Sequence, residues 1–154
     1  MHINVSSWEV AWRELLPAAA EPPSEDEIRA RCRELLDSSE VELAVAEVGG
    51  RVVGLATFGT SRDADATDAV GELRALQVDP AHWRGGVGRS LVAHVLDRLR
   101  ARGRGEVTLW AFAESDQAAD FYAAQGFTRE GATQRRTAFA SVLEARWRQS
   151  LEKT

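Results

Sequence analysis

Apolar positions along this chain follow two rhythms. Val41–Val48 and Arg51–Thr60 are short runs rich in valine, leucine, alanine and phenylalanine on either side of Gly49-Gly50. That pattern predicts two strands joined by a two-residue hairpin turn. Val70–Val78 predicts a third strand. From Val87 the spacing lengthens. Val87, Leu91, Val95 and Leu99 recur every four residues, with Val92 and Leu96 beside them, which predicts a helix that Gly103 and Gly105 end. Its wet side carries Arg89, Asp97, Arg100 and Arg102. Val107–Phe112 then reads as a strand and Ser115–Gln125 as a short helix stopped by Gly126. Two last strands are expected over about Phe127–Phe139 and Val142–Leu151.

Ahead of the hairpin the rhythm is helical. Trp8, Val10, Ala11, Trp12, Leu15 and Leu16 form a stripe, with Ser6 or Ser7 as cap and Pro17 as stop. After a linker from Pro17 to Pro23, Ser24-Glu25-Asp26-Glu27 reads as a capping box opening a second helix through Ile28, Cys32, Leu35 and Leu36. Ser61–Ala69, with Asp63, Asp65 and Asp68, reads as a mobile acidic loop. The predicted order is α-α-β-β-β-α-β-α-β-β, a mixed sheet with helices packed on it: α/β, of the α+β type.

Between the third strand and its helix, Gly85, Gly86 and Gly88 stand within four residues. A glycine-rich turn entering a helix leaves unpartnered N–H groups at the positive end of the helix dipole, an anion site suited to a pyrophosphate. A P-loop needs a lysine after the last glycine, where Arg89-Ser90 stands. A dinucleotide turn needs a third spaced glycine, where Leu91 stands. The remaining plain alternative is a loop whose glycines merely turn the chain.

Composition narrows the class. A chain of 154 residues, 44% hydrophobic and 28% charged, is expected to form one domain over 1–154. No run approaches the ~20 apolar residues of a membrane span, and Met1-His2-Ile3-Asn4 does not look like a signal peptide, so a cytoplasmic location is expected. A net charge of −5 argues against nucleic acid as a partner. One cysteine and three histidines without ligand spacing point to no metal site, and Cys32 is expected to be a small buried side chain.

Val78-Asp79-Pro80-Ala81-His82-Trp83-Arg84-Gly85-Gly86-Val87-Gly88-Arg89-Ser90-Leu91 closely resembles the acetyl-CoA pyrophosphate motif of the GNAT superfamily of N-acetyltransferases. Ala118-Ala119-Asp120-Phe121-Tyr122-Ala123-Ala124-Gln125-Gly126-Phe127 resembles that family's late helix, and Leu143-Glu144-Ala145-Arg146-Trp147 its final strand. The resemblance spans roughly Val41 to Leu151. It implies a mostly antiparallel sheet of six to seven strands with about four helices, the first strand short or missing. Two positions depart from the family pattern. Trp83 holds the motif's first place, with Arg84 one later, and Ser115 stands where the family often has asparagine.

The resemblance also implies chemistry: direct attack of an amine on the thioester of acetyl-CoA. Backbone groups of Leu76, Gln77 and Val78 would meet the pantetheine arm. The turn from Arg84 through Gly85, Gly86, Val87 and Gly88 to Arg89 and Ser90 would hold the pyrophosphate, with Ser115 nearby. Deprotonating an alkylamine of pKa ~10.4 at pH 7 costs roughly 4.6 kcal/mol, so a base is valuable. Glu72, fourteen residues before Gly86, matches the position of a glutamate base in some members. By strand alternation it would share a face with Arg74, Leu76 and Val78, and its plain alternative is a surface pair with Arg74. Tyr122, the only tyrosine, matches the family's general acid; its plain alternative is a core aromatic beside Phe121 and Phe127. The acceptor is expected to be a small-molecule primary amine. A protein N-terminus or lysine, and a non-catalytic acyl-CoA sensor, are the alternatives, and a homodimer is compatible with all three. Trp8, Trp12 and the acidic loop favour a cationic acceptor, whereas Arg129, Arg135 and Arg136 favour one bearing a carboxylate.

Overall fold

The computed structural model describes residues 40–136 and 142–152, together with Asp26, Ala30, Arg33, Glu34 and Asp37. These five are helical and exposed, as the wet side of the expected second helix requires. The expected Trp8–Leu16 helix, and the inward side of the second helix with Cys32, lie outside the described residues.

Six strands and two helices follow: β1 (Val41–Val48), β2 (Arg51–Thr60), β3 (Val70–Val78), α1 (Val87–Ala101), β4 (Glu106–Phe112), α2 (Asp116–Ala124), β5 (Thr128–Arg136) and β6 (Val142–Ser150). They build one mixed sheet in the order β1-β2-β3-β4-β6-β5. Every neighbouring pair is antiparallel except β3 and β4, which α1 connects as a crossover. At the first hairpin, Gly49 and Gly50 both take positive φ, 59° and 78°, which the tight primed turns of two-residue hairpins require.

The core lies between α1 and one sheet face. Leu91, Val92, Val95, Leu96 and Leu99 pack with Ala56, Phe58, Leu73, Val107 and Leu109. Full burial of each such leucine or valine side chain contributes ~1.5–3 kcal/mol, which fixes the helix to the sheet. Gly71 lets the helix close down: a Cβ there would stand 2.8 Å from Leu99.

Two irregularities shape the site. Strands β3 and β4 pair only from Val70–Leu73 to Glu106–Leu109. Beyond Leu73, β3 stays on β2, while β4 stays on β6 as far as Phe112, so a gap opens between them. The β2–β3 register also shifts, with Phe58 opposite Leu73 but Thr57 opposite Ala75, leaving Arg74 as the extra residue of a bulge. The bulge reverses the facing of everything after it. Gly71 and Leu73 face α1, and so do Leu76 and Val78 beyond the bulge. Glu72 therefore points to the opposite face and does not share a side with Leu76 and Val78, contrary to simple alternation.

That opposite face is charged. Thr108 and Trp110 of β4 stand there beside Glu144, Arg146 and Arg148 of β6, whose alternate residue Trp147 joins the core. Thr108 is also level with Glu72 in the β3–β4 ladder.

Candidate active site

The glycine turn is built to expose backbone amides. Asp79 accepts from the Ala81 N–H at 3.0 Å and caps a 3-10 turn over Pro80–His82. Trp83 Nε1 donates to the Val78 carbonyl at 2.8 Å, folding the loop back on the end of β3. Arg84 takes φ 64°, a left-handed conformation that is strained for a residue with a side chain. Gly86 takes φ 87° as the N-cap of α1, with no side-chain cap and no acid in the first turn. Ser90 N–H bonds to the Gly86 carbonyl at 3.0 Å. The amides of Val87, Gly88 and Arg89 precede that bond and have no helical partner. Ser90 has spent its own amide and can offer only its hydroxyl. Arg84, Arg89 and Ser90 are exposed, and Gly85 leads the turn into the cap.

Gly88 marks where this cradle meets α2. A Cβ on it would stand 3.2 Å from Phe121, so a side chain there would press the start of α1 against the aromatic pair. Alongside runs the free edge of β3. Asp79 N–H donates to the Val53 carbonyl at 2.8 Å, which makes Gly54–Val78 a pair that does not bond to itself. By the ladder's alternation, the backbone groups of Leu76 and Val78 point into the gap and those of Gln77 point to Leu55 of β2. Gln77, expected to offer its backbone to a ligand, is thus engaged by the ladder. Leu76 turns both its groups to the gap, and the Val78 carbonyl is taken by Trp83.

Across the gap, Ser115 caps α2, its hydroxyl accepting from Ala118 N–H at 3.1 Å. Tyr122 is half-buried, edge-on to Phe121 at 5.1 Å and to Phe127 at 5.9 Å between ring centres. Burial pushes its phenol up to about 12, so it is protonated at neutral pH and has a proton to give. The two readings of this residue are compatible: a ring held by core aromatics is a phenol held in one place.

Glu72 is 1% exposed, not at the surface, and its partner is Arg62 rather than Arg74. Its Oε1 accepts the Arg62 backbone N–H at 3.0 Å, and its Oε2 accepts the guanidinium at 2.5 Å. Arg74 instead donates to the Thr60 carbonyl at 2.8 Å. The expected mobile loop is pinned down: Asp63 accepts from Trp110 Nε1 at 2.9 Å, and both Asp63 and Asp65 pair with Arg146. Glu130 binds Arg146 and Arg148 together at 2.5 and 2.8 Å, and Arg148 also bonds to Glu106. Arg146 stacks on the Trp110 ring at 5.6 Å. Glu130 is held below the usual carboxylate range: burial alone would raise it, but the bonds from Arg148 and Arg146 outweigh that. Of the arginines expected to meet an acceptor, Arg129 is turned to the Ala113 carbonyl and Arg136 ends β5.

Arg62, Trp110 and Arg146 escaped the sequence reading. The signal for Arg146 was there in β6, where Glu144, Arg146 and Arg148 alternate with Ala145 and Trp147. A strand carrying charge on every second residue, yet enclosed by neighbours on both sides, must pair those charges. Among the described residues no group of three His, Cys, Asp or Glu is placed to hold a metal ion, and no helix is long and apolar enough to cross a membrane.

Residues 6–127 match the Acetyltransferase (GNAT) family. An amino-acid acetyltransferase of Neisseria meningitidis is 35% identical over 97 residues, 63% of this chain and 20% of that protein. A mycothiol acetyltransferase of Streptosporangium roseum is 42% identical over 62 residues, 40% of this chain and 18% of the relative. The matched stretches thus span only about a fifth of these curated relatives. Among solved structures, the ribosomal-protein-alanine N-acetyltransferase of Brucella melitensis superposes with a TM-score of 0.72 at 22% identity, over 96% of this chain and 91% of that one. With the gap between β3 and β4, the uncapped α1 and the family match in agreement, the chain belongs to the GNAT acetyltransferase family, whose members use acetyl-CoA.

Proposed function

We propose that this protein transfers an acetyl group from acetyl-CoA to a primary amine of a small molecule by direct attack of the amine on the thioester. One observation carries the reading. The β3 edge opened beyond Leu73 runs into a helix start with no side-chain cap, where even a Cβ on Gly88 would press on Phe121 at 3.2 Å. Such a groove suits a thioester arm ending in a pyrophosphate. The amides of Val87, Gly88 and Arg89, with the charges of Arg84 and Arg89, hold the anion through charge-assisted bonds of ~1.5–3 kcal/mol each. The backbone groups of Leu76 align the arm along β3.

Glu72, one residue before the last β3–β4 pair, takes a proton from the acceptor's ammonium. The free amine so formed attacks the thioester carbon and displaces the CoA thiolate. Tyr122 gives a proton to the departing thiolate, whose pKa near ~8.5 makes that help useful but not essential. Each proton-transfer group contributes typically ~10²–10⁴-fold. The relatives named above act on an amino acid, on mycothiol and on a ribosomal-protein alanine by their names, so the acceptor does not follow from kinship. A small molecule is favoured because the 61–69 loop is tied across the charged face by Asp63 and Asp65, which closes that side to a long peptide. Thiol release from acetyl-CoA, measured over a panel of small primary amines and alanine-starting peptides, tests this. Turnover confined to small amines is expected. Turnover confined to peptides contradicts the acceptor class, and acetyl-CoA binding without turnover on any amine contradicts the reaction.

A further inference from the structure

Arg146 is the most heavily partnered cation on the charged face, and its partners are not alike. Asp63 divides its carboxylate between Arg146 Nη1 at 3.2 Å and Trp110 Nε1 at 2.9 Å. Glu130 divides its own between Arg146 and Arg148. Asp65 alone gives both oxygens to the guanidinium fork, Oδ1 to Nη1 at 2.9 Å and Oδ2 to Nη2 at 3.0 Å. The side chains of Arg146 and Asp63 are 11% and 12% exposed, whereas that of Asp65 is 62% exposed. The fork is therefore held from behind by fixed acids and by the Trp110 ring. Its open, two-toothed edge is filled by one solvent-facing carboxylate on a loop.

We propose that the Arg146 fork is the subsite for a carboxylate of the acceptor, that the acceptor is an amino acid or similar amino-carboxylate, and that Asp65 is a tethered occupant which it displaces. The inference rests on the acetyl-transfer reading. Position supports it. Arg146 pairs with Trp110 across β4 and β6, and Trp110 is the first β4 residue past the last β3–β4 pair, Leu73–Leu109. The backbone of Arg146 thus lies one strand spacing, ~4.8 Å, from that of Trp110 beside the mouth of the gap. Planar bidentate pairing recognises a carboxylate specifically, and a carboxamide cannot reproduce it. If Asp65 fills the fork nine-tenths of the time, apparent affinity for the acceptor is lowered about tenfold.

The test is calorimetric binding of L-alanine, L-glutamate and L-lysine, and of their α-carboxamides, to the CoA-saturated full chain and to Asp65→Ala. An exposed loop position makes that variant safe for folding, and Asp65→Asn serves as its isosteric check. The acids are expected to bind the parent protein and to bind both variants about tenfold more tightly, with carboxamide binding unchanged. The inference fails if neither protein binds the acids, if acids and carboxamides gain equally, or if Asp65→Ala lowers only the melting temperature. Because binding is read apart from turnover, the two readings fail separately. Thiol release on plain amines with no acid binding removes the subsite and leaves acetyl transfer; acid binding without thiol release on any amine removes the transfer reading.

Discussion

The two faces of the sheet at the gap are built by different means. The helix side is local: one run from Leu76 to Leu91 supplies the strand edge, the turn and the helix start, and the groups it leaves without helical partners are backbone amides. The charged side is assembled from five separate pieces, with Glu72 from β3, Asp63 and Asp65 from a loop, Trp110 from β4, Glu130 from β5 and Arg146 from β6. On the proposed reading the first face holds acetyl-CoA. The second, whose side chains can be exchanged without moving the backbone of the Leu76–Leu91 run, holds the acceptor. Substitutions in the Leu76–Leu91 run should therefore weaken binding of acetyl-CoA, and those on the charged face should alter the reaction or the acceptor while leaving it bound.

The largest effect is expected on the helix side. Gly88→Val drives a branched side chain toward Phe121, where even a Cβ stands at 3.2 Å. Displacing the first-turn amides removes one or two charge-assisted bonds, so calorimetry should show acetyl-CoA affinity falling by ~10²-fold or more. Glu72→Gln should lower kcat/KM for the amine by about 10²-fold with acetyl-CoA affinity unchanged. Equal loss of both would mean that the two faces are not separable. Tyr122→Phe removes only the hydroxyl and should lower kcat by about 10²-fold, again without weakening acetyl-CoA. An unchanged kcat would reduce Tyr122 to a packing residue.

A smaller effect reports on the burial of Tyr122. It is the only tyrosine, so phenolate absorbance during an alkaline titration belongs to it alone. Its raised value, about 12 against an ordinary 10, means that the folded state holds the proton longer than the unfolded chain. The resulting stability is complete below pH 10 and is lost as pH rises through about 12. Melting temperature should therefore fall over pH 10–12 more steeply for the parent protein than for Tyr122→Phe. Identical slopes, or a phenol titrating near 10, would place the ring in water.

The same contrast explains what could be seen in the sequence. The Gly49-Gly50 hairpin, the α1 stripe from Val87 to Leu99 and the cap at Ser115 are encoded within a few residues, and each formed where local rules put it. The facing of Leu76 and Val78 was missed because one extra residue at Arg74 reverses the alternation. Nothing in Leu73-Arg74-Ala75 announces a bulge; it is set by the register with β2. The partner of Glu72 was missed for a related reason. Arg62 reaches it from a loop ten residues earlier, and that contact exists only once β2 and β3 have paired. The acidic loop read as mobile because its three aspartates look like a solvated tip. The cation that pins it, Arg146, lies 81 residues beyond Asp65 in the chain.

One assay bears on the central claim most directly. With acetyl-CoA, small primary amines and the parent protein, free thiol should appear in step with an N-acetylated amine confirmed by mass. Glu72→Gln and Tyr122→Phe should slow both together while still binding acetyl-CoA at parental affinity. Acetyl-CoA bound tightly with no thiol released on any amine, or full rates in both variants, would contradict the account.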